Sequence, residues 1–190
     1  MSEWDACVYC TCFQDGLTND PPYPRSELTV NRFGVVTMVG STDHAEDPKP
    51  LWCWRVGMSV DDPHTDEAPQ PCRHHNMKLV DEIFYWPGSV SHVGHYPVFE
   101  RLVATYELPV LGDLLYRPPA DDYPSGGVWT DAEEAQQALR ELDELAALAP
   151  LDPQTSDSYF AKTLRTLLEA SVKTGNPVIC NYNGIGDGAW

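Results

Sequence analysis

Residues 1–40 carry their apolar positions in short runs separated by turn formers. Cys7 to Phe13 is small, β-branched or aromatic and reads as a strand, with Gln14-Asp15-Gly16 as its turn. Asn19 to Pro24 is a loop stiffened by proline. Leu28 to Asn31 and Val35 to Val39 flank Arg32-Phe33-Gly34, which predicts a hairpin with glycine at the position that needs a positive φ.

Further along, the spacing becomes helical. Pro97 suits a first helical turn, Phe99, Leu102, Val103 and Tyr106 share one face, and Pro109 is expected to stop that helix. Thr130-Asp131-Ala132-Glu133 has capping-box spacing, and Ala135, Ala138, Leu139, Leu142 and Leu145 form an apolar stripe that runs to Pro150. The outer face of this helix is expected to carry Glu133, Glu134, Glu141, Asp143 and Glu144. Another helix should start near Thr155 or Ser156, bury Phe160, Leu164, Leu167, Leu168 and Val172, and close at Lys173-Thr174-Gly175. Asn176-Pro177 then restarts the chain as the strand Val178-Ile179-Cys180, and a glycine-rich tail follows.

Between these parts, residues 40–72 read as two acidic loops around the apolar patch Leu51-Trp52-Cys53-Trp54, and Met77 to Trp86 fits a helix and a strand about equally. The pattern predicts a single α+β domain over residues 1–190. An antiparallel sheet, built from the N-terminal strands and the 178–181 segment, is covered on one face by about three helices near 97–107, 131–148 and 156–174.

Charge adds a statement about partners. With 12 Lys and Arg against 29 Asp and Glu, the formal charge is −17. Such a surface repels phosphate backbones and anionic headgroups and attracts basic proteins or cations, which argues against direct nucleic-acid or membrane binding. The apolar stretches fall short of the roughly 20 residues that span a bilayer. The acidic start Met1-Ser2-Glu3-Trp4-Asp5 lacks the marks of a secretory signal, so a cytoplasmic location is expected. The six cysteines are irregularly spaced in a chain too long for a disulfide scaffold, and reduced thiols are expected.

The soft ligands fall into short-spaced groups: Cys7-x2-Cys10-x-Cys12, Cys72-x-His74-His75 and His92-x2-His95. A tetrahedral zinc site needs four such donors, commonly as two close pairs. Alternate residues of a strand share a side, so Cys10 and Cys12 form one pair, completed by Cys72 and His74 if the fold joins them. The alternative is that the cysteines are small core residues and the histidines ordinary polar groups. A Cys72 nucleophile with His74 or His75 is disfavoured, because surrounding carboxylates raise a thiol's pKa. The carboxylate pairs, such as Asp61-Asp62 and Asp121-Asp122, lack calcium-loop spacing, and the tail Asn183 to Gly188 lacks the helix a phosphate loop requires.

The opening Cys7-Val8-Tyr9-Cys10-Thr11-Cys12-Phe13-Gln14-Asp15-Gly16 with Pro21-Pro22, the segment Cys72-Arg73-His74-His75 and the closing Lys173 to Val178 resemble a group of uncharacterised bacterial proteins. That group shares a Tyr-Cys-x-Cys-Phe/Tyr start and a Cys-x-His segment, and some members look like immunity proteins of polymorphic toxin systems. The resemblance marks Cys10, Cys12, Cys72 and His74 and implies an acidic inhibitor of a toxin. On that expectation the protein binds a basic partner through Asp61, Asp62, Asp66, Glu67, Glu141 and Glu144, with no catalysis and no cofactor. The competing expectations are a zinc-dependent enzyme or zinc-stabilised domain using the Cys/His set, and a DNA mimic.

Overall fold

The computed structural model describes residues 5–21, 23–40, 72, 74, 96–116 and 126–181. Their elements run β1 (Asp5–Cys7), β2 (Leu28–Val30), β3 (Val36–Met38), α1 (Pro97–Thr105), α2 (Pro109–Tyr116), β4 (Gly126–Thr130), α3 (Ala132–Leu148), α4 (Ser156–Thr174) and β5 (Val178–Asn181). The fold class is α+β, as the pattern predicts. Met77 to Trp86 and the acidic loops between 41 and 71 lie outside the described residues.

Among the described residues β5 is the centre of a three-stranded antiparallel sheet, with β1 on one side and β4 on the other. Among the described residues β2 and β3 pair only with each other, so there the hairpin is a ribbon separate from the main sheet. Its turn is as expected, with Gly34 at φ +86. Side chains alternate across the main sheet. Ala6, Trp129 and Val178 face the helices and join a core built by Phe99, Leu111, Leu142, Leu164 and Leu167, all buried. Ile179 and Val128 face the other way and meet Phe33 and Val35 of the hairpin, with Tyr9 packed alongside.

α3 and α4 bury the predicted stripes, except that Val172 is only partly covered. The cap of α3 is Asp131, one residue later than the capping box implies: its Oδ1 accepts from the Glu134 amide at 2.9 Å. Thr130, freed from that role, donates its hydroxyl to Glu134 Oε2 at 2.8 Å. α4 starts at Thr155, whose Oγ1 accepts from the Ser158 amide, and stops at Gly175 in the left-handed region.

Pro109 corrects an expectation. α1 ends at Thr105, before the proline, and Pro109 opens α2, which the sequence pattern missed. A proline has no amide to satisfy at a first helical position, so the property that forbids it inside a helix suits it there. α1 is closed by Glu107 at φ +51, with Leu108 N–H donating to the Val103 carbonyl and Glu107 N–H to Ala104.

Glu141 corrects a second expectation. It does not lie on the outer face of α3 but is buried, where its carboxylate accepts from the amides of Val110 (3.2 Å) and Leu111 (2.8 Å) at the start of α2. Asp157 does the same for α1, accepting from the Phe99 amide at 2.8 Å. Two buried carboxylates therefore hold the positive N-terminal ends of two neighbouring helices.

Candidate metal centre

Cys10, Cys12, Cys72 and His74 converge. Their ligand atoms all lie within 4.8 Å of one another. Cys10 Sγ is 3.7 Å from Cys72 Sγ, and Cys12 Sγ is 3.2 Å from His74 Nδ1. A tetrahedral zinc ion with Zn–S of about 2.3 Å and Zn–N of about 2.0 Å implies ligand–ligand edges of roughly 3.8 Å for S–S and 3.5 Å for S–N. The thiol pair matches the first edge, and the Cys12–His74 pair is a few tenths of an ångström tighter than the second.

The backbone that presents Cys10 and Cys12 is not the expected strand. β1 stops at Cys7, and residues 8–17 leave the sheet as a hydrogen-bonded knuckle. Leu17 N–H donates to the Cys12 carbonyl and Gly16 N–H to that of Phe13, the paired bonds of a glycine-closed helix end without its helix. Gly16 supplies the left-handed residue such a turn requires, at φ +70. Thr11 donates its hydroxyl to Asp15 Oδ2 at 2.7 Å, and the Arg25 guanidinium lies 4.8 Å from the Phe13 ring while donating to the Phe13 carbonyl.

Asn176 fastens the other end of this segment. Its Nδ2 donates to the Tyr9 carbonyl at 2.8 Å, one residue before Cys10. The asparagine is itself fixed, because its amide donates to Thr174 Oγ1 (3.2 Å) and its carbonyl accepts from Ser171 Oγ (2.7 Å). Gly34 lies against the carboxamide so closely that a Cβ there would meet it at 2.6 Å. In the sequence Asn176 marks only a restart after α4, since nothing local points to a partner 167 positions away.

Burial pushes the Cys10 thiol up to about 12 from an ordinary 9.0; a backbone hydrogen bond from Cys12 works against that, and the neighbouring Cys72 and Cys12 add to it. A cation reverses this balance, because it supplies the positive charge that the clustered thiolates lack. The donor set is soft, which suits zinc, and its compactness suits one metal ion better than an iron–sulfur cluster, whose ligands divide among several irons.

Among the other predicted site residues, Glu144 is exposed on α3, while Asp61, Asp62, Asp66, Glu67 and His75 lie outside the described residues. Cys7 is buried in the sheet and is not part of the cluster. No helix among the described residues is long and apolar enough to cross a membrane. No protein-family model, curated protein or solved structure matches the chain.

Proposed function

We propose that the protein is a zinc-stabilised domain in which Cys10, Cys12, Cys72 and His74 hold one zinc ion. The observation that carries this is the approach of three thiols and one imidazole nitrogen to within 4.8 Å of one another, from positions 62 residues apart. Four protein donors complete a tetrahedron and leave no position for substrate, so the centre is structural and not catalytic. Its role is to join the Tyr9–Leu17 knuckle to the Cys72–His74 segment. Of that knuckle only Cys12 is fully buried, and its apolar hold on the body comes from the partly buried Tyr9 and Phe13.

Elemental analysis of protein purified without chelator tests this. About one zinc per chain is expected, falling to background in Cys12→Ser with His74→Ala; background zinc in the unaltered protein overturns the proposal.

The formal charge of −17 favours a second role for the same scaffold, capture of a basic protein such as a toxin. The contact face on α3 then uses Glu133, Asp143 and Glu144, all exposed, and excludes the buried Glu141. Co-expression with the neighbouring reading frame tests it: rescue of growth is expected if that frame encodes a toxin, and unchanged killing counts against it.

A further inference from the structure

We infer that Cys10 and Cys72 are a peroxide-oxidisable pair whose conversion to a disulfide discharges the bound cation while leaving the two segments joined. The inference rests on the zinc reading for the cation and on the thiol geometry alone for the pair.

The four donors are not equivalent. Cys10 and Cys72 are half-buried, within reach of a small oxidant from solvent, and their sulfurs are 3.7 Å apart. Cys12 is buried, with its sulfur 3.2 Å from His74 Nδ1. A bond between Cys10 and Cys12 closes a small ring over one residue and strains the disulfide torsion. Cys10 with Cys72 has no such constraint, since 62 positions separate them.

The chemistry balances with hydrogen peroxide as the oxidant. The sulfur of Cys10 or Cys72 attacks one peroxide oxygen, an S–O bond forms, the O–O bond breaks, and the departing hydroxide takes a proton to become water. The second sulfur then attacks the sulfenic sulfur; the S–S bond forms, the S–O bond breaks, and a second water leaves. Two sulfurs lose two electrons in total, and one peroxide is reduced to two waters. Cys12 and His74 remain, and two donors do not retain zinc.

The consequence is specific to this arrangement. The metal links residue 10 to residue 72, and so does the disulfide. Oxidation therefore exchanges one cross-link for another and releases the cation without freeing the knuckle. A thiol reductant with added zinc restores the first state.

Zinc-loaded protein treated with hydrogen peroxide tests this, with a chromophoric chelator reading released zinc and fragmentation mass spectrometry under non-reducing conditions locating the bond. One zinc released per Cys10–Cys72 disulfide, reversed by dithiothreitol and zinc, is expected. Retained zinc with intact thiols, a disulfide through Cys12 or Cys53, or sulfinic acids without a disulfide overturns the inference. Chelator-treated, reduced protein is oxidised in parallel. A Cys10–Cys72 bond there, in protein that purifies without zinc, overturns the zinc reading and upholds the pair. One zinc per chain with no Cys10–Cys72 bond overturns the pair and upholds the zinc reading. Cys10→Ser should abolish the bond; should that variant fail to fold, the two wild-type arms decide.

Discussion

Gly34→Ala probes the link between the hairpin and the candidate centre. Gly34 has φ +86, where an alanine costs about 1 kcal/mol relative to glycine. Its new Cβ would stand 2.6 Å from Asn176 Cγ and Nδ2 and 2.9 Å from Oδ1. The carboxamide cannot yield without losing the bond to the Tyr9 carbonyl, and the loss of one such hydrogen bond costs roughly 0.5–1.5 kcal/mol. The lower chain entropy of unfolded alanine returns about 0.5 kcal/mol. The net expectation is a destabilisation of roughly 1–2 kcal/mol. Gly40→Ala is the matched control, because Gly40 has φ +85 and, among the described residues, nothing within 4 Å of its Cβ position, so only the backbone loss less the same entropic return, about 0.5 kcal/mol net, applies. Urea titrations at fixed zinc, with both variants repeated in an Asn176→Ala background, separate the two parts. Gly34→Ala should couple to Asn176→Ala by about 1 kcal/mol or more, and Gly40→Ala by nothing measurable. Equal losses for the two glycines, or no coupling, would refute the claim that Asn176 is a fixed strut under the hairpin.

Other consequences follow from the same contacts. Glu141→Ala should lower stability by roughly 2–4 kcal/mol, since it leaves two amides of α2 without their acceptor, whereas Glu144→Ala on the exposed face should stay within about 0.5 kcal/mol in the same urea assay. Glu107→Gly should stabilise by about 0.5–1 kcal/mol, seen as a raised urea midpoint, because it relieves a non-glycine residue at φ +51. Zinc affinity should rise with pH by about tenfold per unit for each thiol proton displaced, measured by chelator competition between pH 6 and 8. In the metal-free chain the sign is opposite: the Cys10 pKa of about 12 against 9.0 unfolded favours the neutral thiol, so its contribution is complete below pH 9 and is lost as pH rises towards 12.

What the sequence disclosed followed the strength of its periodic signals. α3 and α4 are long enough for an apolar stripe to repeat over several turns, and both were legible. α2 was not, because Pro109 means a stop or a start according to what receives the amides that follow it, and that receiver is Glu141 on another helix. β4 begins with two glycines, which read as loop until β5 pairs with them. The grouping of the four soft donors was legible from residue type, but not the backbone that presents them: Cys10 and Cys12 approach on a knuckle closed at Gly16, not on one face of a strand. The burial of Glu141 did leave a trace. It stands three residues after Ala138 and four before Leu145, inside the apolar stripe, and Asp157 stands three before Phe160. A carboxylate at such a position indicates a buried acceptor for a neighbouring element.

That distinction changes the weight of the acidity. A formal charge of −17 counts every carboxylate alike, yet Glu141 and Asp157 are committed to helix ends, and exposed Asp143 pairs with Arg165 at 2.8 Å. An exposed pair of this kind is worth little to stability, but it lowers the local field a basic partner would meet. The acidity of α3 thus says less about a basic partner than its carboxylate count implies, while the thiol–imidazole cluster depends on no such count. Distance and donor chemistry at four named atoms are a more discriminating observation than a sum over the chain, and they are why we propose a structural cation ahead of an acidic face.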